Sequence, residues 1–172
     1  MKRAGMAAVA GLAIAGIFMA GCNATKTAQD FANVLTGVIN IAKAEIPALP
    51  PADAAIVTQW TNLGTTLDGQ LQSCITGATA AGGKKAAFLG CFNTFAAGIA
   101  SPSELAQLRV LSAGSQSKAQ LWVTAIILGV NAALTAFGGA PVAEPTVAAV
   151  QPTHAELAEL ARQAGVSPAY GF

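Results

Sequence analysis

Few side chains in this sequence are of the types that perform chemistry, and cysteine and histidine are the first to consider. The chain has three cysteines, Cys22, Cys74 and Cys91, and a single histidine, His154. A structural zinc site draws its ligands from closely spaced Cys and His pairs. No Cys-x-x-Cys pair occurs, and His154 lies far along the chain from every cysteine. We therefore expect no metal site and no bound cofactor.

The residues before Cys22 have the organisation of an export signal. A basic start, Lys2-Arg3, precedes a long uncharged and mostly apolar run that ends in small residues. Secretory signals combine a positive charge, an apolar stretch and a small-residue cleavage point in this order. Met19-Ala20-Gly21-Cys22 resembles the lipobox of bacterial lipoproteins. The resemblance identifies residues 1–21 as a lipoprotein signal peptide and Cys22 as the lipidation site.

The same resemblance predicts where the protein resides. It implies that the Cys22 thiol receives a diacylglycerol and that the new amino group can receive a third acyl chain. Two or more chains anchor a protein stably, because each buried methylene contributes about 0.8 kcal/mol. Asn23, by similarity to enterobacterial lipoproteins, favours the outer membrane. We expect a bacterial envelope protein with a lipidated tether over 22–28 and its body in the periplasm. The alternative is an uncleaved N-terminal anchor with a chance cysteine.

The other two cysteines form an even pair in a chain predicted to be exported. Cys74 and Cys91 are the only cysteines beyond Cys22. Such pairs close in oxidising compartments. A loop of this length stabilises the folded chain by about 3 kcal/mol in the chain-entropy model. We therefore predict a Cys74–Cys91 disulfide.

The elements that position these cysteines are predicted to be helices. Apolar residues recur at steps of three and four, and no stretch alternates as a strand does. The spacing predicts helices over 27–46, 53–76, 85–99, 118–137 and 154–164, with a further one starting at Pro102. The fold class is therefore all-α, a small bundle over 29–139 whose second and third helices form a disulfide-stapled hairpin.

Break and cap signals divide this pattern. Gly77–Gly83 is predicted to be a flexible turn, and Ala113–Ser115 is predicted to interrupt the following helices. Prolines over 140–152 predict a linker, and residues 153–172 form a short helix and tail. Ser101 with Glu104 and Thr153 with Glu156 match the capping-box spacing.

The stretch 119–143 allows two structures. It has no charged residue and is long enough to span a bilayer. Apolar residues on all sides also fit the central helix of a bundle, with Leu128 in the core and Asn131 in need of an internal hydrogen-bond partner. We favour the buried helix for 119–137, and a spanning helix is the alternative. Trp60 and Trp122 lie on apolar stripes and are predicted to belong to the core.

Motifs for catalysis or nucleic-acid binding are incomplete. Gly77 to Lys85 resembles a phosphate loop but lacks either its lysine or its hydroxyl residue. Glu156–Tyr170 is similar to the start of helix-turn-helix regulators, yet no recognition helix and no basic residue follow Arg162. No nucleophile can be tied to His154, so a carboxylate pair brought together by folding is the remaining enzymatic alternative. We expect no enzyme and no nucleic-acid partner.

Composition agrees with a membrane-associated or heavily self-buried protein. Hydrophobic residues make up 53% and charged residues 10% of the chain, against roughly 25% charged in typical soluble domains. Without Lys2 and Arg3, the chain has seven basic and eight acidic residues. This balance lacks the excess of positive charge that nucleic-acid binding requires. We expect a non-catalytic structural, assembly or interaction role, with the membrane and an envelope protein as partners. A small-molecule or lipid-binding module and a membrane-active or phage-encoded envelope lipoprotein are the alternatives.

Overall fold

The computed structural model describes residues 24–165, and within this range the chain forms six α-helices and no strand. The helices are α1 (Ala24–Glu45), α2 (Pro51–Ala80), α3 (Lys85–Ile99), α4 (Pro102–Leu108), α5 (Ala113–Ala136) and α6 (His154–Gln163), with a 3₁₀ turn at Ile46–Ala48. A disulfide joins α2 to α3. The prediction of an all-α bundle with a stapled hairpin is confirmed, whereas Cys22 lies outside the described residues.

Helix α5 is the centre of the bundle. Helices α1, α3 and α6 pack against it, and α2 packs on α1 and α3. Trp122, Ile126, Ile127 and Leu134 are fully buried in this helix, and Phe137 just beyond it stacks with Phe92 of α3 at a centroid separation of 5.9 Å. Burial of these side chains is the main favourable contribution to folding.

Among the described helices, α5 alone is long and apolar enough to cross a membrane by length and composition. Within its most apolar window, 72% of the residues are buried inside the bundle. Trp122 of this helix and Trp60 of α2 are both core residues, as the sequence predicts. Leu128 faces outward more than expected and is only partly buried, because its neighbours Ile126 and Ile127 take the inward positions.

The helix boundaries differ from the predicted ones at two breaks. Helix α2 continues to Ala80, so the turn covers only 81–84 rather than all of Gly77–Gly83, and Gly82 and Gly83 end the helix with positive φ. Helix α5 begins at Ala113, and the interruption predicted at Ala113–Ser115 lies instead at 109–112. A capping interaction from outside the segment accounts for this shift and is described below.

The two predicted capping boxes have different outcomes. Thr153 and Glu156 form a complete box at the start of α6. Ser101 precedes α4, whose first residue is Pro102 as expected, but its side chain makes no capping hydrogen bond. Its hydroxyl lies 3.2 Å from that of Ser103 instead.

The bundle extends beyond the predicted 29–139 at both ends. Residues 24–28, predicted to belong to the tether, form the first turns of α1, in which Thr27 and Ala28 are buried. Residues 140–152, which we call the strap, have no helix, as predicted for a linker, but Val147 and Ala148 are buried. Helix α6 packs on α1 so closely that a Cβ on Gly37 would lie 2.8 Å from the carbonyl oxygen of Ala164.

The central position of α5 predicts unequal effects of two leucine substitutions on one helix. Leu134 is fully buried, so Leu134→Ala should lower the free energy of unfolding by about 2–5 kcal/mol, the range for truncated core leucines. Leu128→Ala is the matched control, and partial burial limits its cost to about 1 kcal/mol. Urea unfolding followed by circular dichroism measures both. Equal losses would contradict this arrangement of α5.

Candidate functional site

The disulfide ties the long α2 to α3 near the turn that connects them. Cys74 and Cys91 lie 17 residues apart and their Cα atoms are separated by 5.7 Å. Cys91 is buried and Cys74 is exposed, so the bond lies at the edge of the core. A cleft of about 60 Å³ beside the bond is lined by side chains that include Leu67 and Phe95. The predicted Cys74–Cys91 pair is therefore brought together.

The turn after α2 contacts the first turn of α1. The hydroxyls of Thr79 and Thr25 are 3.5 Å apart, and a Cβ on Gly83 would lie 3.2 Å from the Thr25 hydroxyl oxygen. Helix α1 starts at Ala24, two positions after Cys22 in the sequence. The α2–α3 turn is therefore at the end of the bundle from which the chain leads back to Cys22.

Three lysines, Lys26, Lys84 and Lys85, occupy this end of the bundle, which we call the basic end. Lys26 is paired with Asp30 at 2.7 Å. Lys84 is the N-cap of α3 and Lys85 is its first residue, and both are exposed. Neither forms a salt bridge with another residue of the described range.

A carboxylate from α2 caps the start of α5. Asp53 is buried and accepts hydrogen bonds from the backbone N–H of Ser112 at 3.2 Å and from the Ser115 hydroxyl at 2.7 Å. The Ser112 hydroxyl also donates to it. These hydrogen bonds, led by that from Ser112, lower the pKa of Asp53 despite an opposing effect of burial. The negative charge lies at the positive end of the α5 dipole, which explains why that helix starts at Ala113.

Two amide side chains of α5 hold the strap. The Gln120 side-chain oxygen accepts from the backbone N–H groups of Val147 and Ala148. Asn131 accepts from the N–H of Val142 at 2.8 Å and donates to its carbonyl at 2.9 Å. The internal partner that Asn131 was predicted to need is therefore the strap backbone.

An open groove of about 330 Å³ lies between α1, α5 and α6. Its lining includes Glu45, Glu156 and Glu159, and each of these carboxylates already has a partner. Glu45 pairs with Lys118 at 2.6 Å, Glu156 is in the α6 capping box, and the hydrogen bond from Arg162 lowers the pKa of Glu159 to about 2. The residues that line this groove therefore provide no pair of unpartnered carboxylates of the kind that glycoside hydrolases use.

The remaining sequence candidates do not assemble into a reaction centre within 24–165. His154 is the first residue of α6 and is exposed. No group of three or more His, Cys, Asp or Glu residues in the described part could hold a metal ion. Asp53, Gln120 and the pair Lys84-Lys85 are not among the residues predicted from the sequence. Only the lysine pair carried a local signal, because two adjacent cations at a helix start are unfavourable.

The disulfide is predicted to stabilise the hairpin. Cys74→Ser combined with Cys91→Ser should lower the free energy of unfolding by about 3 kcal/mol, because the unfolded chain loses a constraint on a loop of this size. Urea midpoints with and without reductant measure the loss, and reductant should not shift the double variant further. Non-reducing peptide mapping that finds both thiols free in oxidised protein would contradict the pairing.

The Asp53 cap is predicted to have a specific pH dependence. The pKa of Asp53 is below its ordinary value of 3.8, so the ionised carboxylate stabilises the folded state above pH ~4, and this contribution is lost as pH falls through the folded pKa. Asp53→Asn should therefore melt at a lower temperature than wild type at pH 7, with the difference shrinking below pH ~4.

The control for this prediction is Asp68→Asn on the same helix. Burial raises the pKa of Asp68, so its charge opposes folding, and the difference between this variant and wild type should change with pH in the opposite sense. Melting curves followed by circular dichroism from pH 7 to pH ~2.5 cover both windows. An Asp53→Asn difference that does not change with pH would show that the carboxylate charge does not support the cap.

Comparison of the chain with protein-family models, with curated proteins and with solved structures finds no match. The features of this chain that bear on function are the disulfide, the basic end and the segment that contains Cys22.

Proposed function

We propose that this chain is a lipid-anchored protein of the bacterial cell envelope, attached through Cys22, with its helical body in the periplasm and a non-catalytic structural, assembly or interaction role. The observation that carries this proposal is the position of Cys22 in the lipobox-like segment, two positions before α1 begins. With Ala24 already in a packed helix two positions after the acylated residue, the anchor would hold the body close to the membrane surface.

The disulfide supports an exported location. Disulfides persist in oxidising compartments such as the periplasm and are rare in the cytosol. The described body contains one such bond, Cys74–Cys91, which leaves Cys22 as the remaining cysteine of the chain. The proposal requires one cysteine that is available for acylation and two that form a structural disulfide, and this arrangement agrees with it.

The outward face of α2 supports an interaction role. It is the longest described helix, and its two acidic residues, Asp53 and Asp68, are turned inward to hydrogen-bond with neighbouring elements. The exposed residues of this face include Thr58, Gln59, Asn62, Thr66, Gln70 and Ser73. Interface cores are depleted in charged residues, so an uncharged polar face of this length suits contact with another envelope protein better than contact with solvent alone.

The described interior favours this role over the two alternatives. A small-molecule or lipid-binding module would need an enclosed, mostly apolar cavity, whereas the groove between α1, α5 and α6 is open and lined partly by paired carboxylates. A membrane-active protein would need α5 exposed to lipid, and most of its apolar window is instead covered by other helices. The lipid-anchored, non-spanning arrangement accounts for both observations.

The proposal is tested by acylation. Wild-type protein expressed in an enteric bacterium should incorporate radiolabelled palmitate and lose residues 1–21, because the lipobox cysteine is the acyl acceptor. Cys22→Ala should remain an unlabelled precursor, and Cys74→Ala is the matched control that should still be labelled. Equal labelling of Cys22→Ala and wild type would overturn the assignment.

The same strains test the interaction role. A photo-crosslinking amino acid at Thr66, on the outward face of α2, should give a discrete adduct in cells that carry the anchored protein. The Cys22→Ala background should lose that adduct, since the body would no longer be held at its partner. A probe at Arg162 on α6 is the positional control, and identical adducts from both positions would contradict a specific α2 face.

A further inference from the structure

The described charges are distributed unevenly between the basic end and the rest of the bundle. The basic end holds three lysines, and Asp30 is the acidic residue paired there. The rest of the described range has four basic and seven acidic residues. Helix α1 separates the two ends by about 33 Å at 1.5 Å per residue, several times the Debye length of about 8 Å at physiological salt. The groove carboxylates Glu45, Glu156 and Glu159, which lie at the far end of α1, therefore do not neutralise the basic end.

The lysines of the α2–α3 turn are not explained by the stability of the fold. Lys84 and Lys85 begin α3, where the helix dipole is positive and cations are unfavourable. The side chain of the N-cap residue, Lys84, makes no capping hydrogen bond, and both lysines are exposed without a salt bridge in the described range. A residue type that is locally unfavourable and has no compensating contact is typical of functional positions.

The position of the turn gives these charges a partner. The turn contacts Thr25 in the first turn of α1, so Lys84 and Lys85 lie at the end that is joined to Cys22 by the shortest stretch of chain. If acyl chains at Cys22 enter the membrane, as proposed above, this end meets the headgroup layer. The nearest chemical groups complementary to two exposed ammonium groups are then lipid phosphates.

We propose that the basic end, through Lys84 and Lys85 in the α2–α3 turn and with Lys26 beside them, docks on anionic phospholipid headgroups of the membrane to which the chain is anchored. This inference rests on the proposed anchoring and deepens it. The acyl chains supply attachment, and the lysines set the orientation of the body, with α6 and the acidic groove directed away from the bilayer.

The strength expected of this contact is modest and measurable. A lysine near an anionic surface contributes about fivefold to the equilibrium constant, so two lysines shift the balance between docked and undocked orientations about 30-fold. The effect is electrostatic and should disappear in high salt, because the Debye length falls to about 3 Å at 1 M.

The test uses the protein as it is isolated from membranes, reconstituted into vesicles of phosphatidylcholine alone or with 30% phosphatidylglycerol. Acylation of lysines by a water-soluble reagent is followed by peptide mass spectrometry. Lys84 and Lys85 should react at least fivefold more slowly in anionic vesicles than in neutral ones, and 1 M NaCl should remove the difference. Lys43, near the far end of α1, is the internal control and should react equally in both.

Two charge-matched variants identify the residues responsible. Amide exchange in the turn segment 81–87 should be slower in anionic than in neutral vesicles for the wild-type chain. Lys84→Gln with Lys85→Gln should abolish that difference, whereas Lys43→Gln with Lys118→Gln should retain it. Equal lysine reactivity in both vesicle types, or a difference that survives in the Lys84/Lys85 variant, would overturn the proposal.

The same sample separates this inference from the proposed function. Intact mass shows whether Cys22 carries acyl chains. A chain without them, whose turn lysines are nevertheless protected by anionic vesicles, would refute the lipid anchor and retain the docking surface. An acylated chain with unprotected turn lysines would retain the anchor and refute the docking surface.

Discussion

The burial of α5 is the constraint on which the rest of this structure depends. A helix of 24 residues without a charged side chain after Lys118 must be covered on nearly all sides, and no single neighbour is wide enough to do so. Helices α1, α3 and α6 and the strap each cover part of its surface. The order of elements in the chain follows from this need, because the segments before and after α5 both return to pack against it.

Polar groups determine how that cover is arranged. Gln120 is fully buried, and a buried amide without partners would cost about 1–3 kcal/mol. It is satisfied by backbone groups of the strap, which themselves would lack partners without it. Asn131 likewise accepts a hydrogen bond from a strap backbone group, the N–H of Val142. These pairs give an irregular segment a unique position, whereas apolar contacts alone would allow it to slide along the helix.

Structural features that depend on residues close together in the chain were predicted from the sequence. Helical spacing located α1, α2, α3, α5 and α6, the Thr153 capping box was recognised from four residues, and the even cysteine pair indicated the disulfide. Interactions between distant residues could not be read in this way. The Asp53–Ser112 cap joins positions 59 residues apart, so neither segment alone contains its signal. Leu128 was assigned to the core because an all-apolar helix does not reveal which direction faces inward.

The same distinction between local and long-range signals applies to the candidate site. The disulfide was predicted from residue type and short-range context, and the proposed role of Cys22 rests on the same kind of signal. The basic end, in contrast, exists only because the α2–α3 turn folds back onto the start of α1. Two lysines separated from Thr25 by some sixty residues follow a turn that contacts this first-turn residue of α1. Charge counts over the whole chain conceal such an arrangement, because they average the two ends.

The amide side chains of α5 also bear on the proposed export of this chain. A chain that crosses a membrane unfolded presents each segment in turn to the lipid, and a sufficiently apolar stretch would halt there as a spanning helix. Gln120, Thr124 and Asn131 make this stretch less favourable in lipid than an all-aliphatic helix of equal length. If the chain is exported as proposed, the residues that position the strap after folding also make this segment less prone to stop in the membrane before folding.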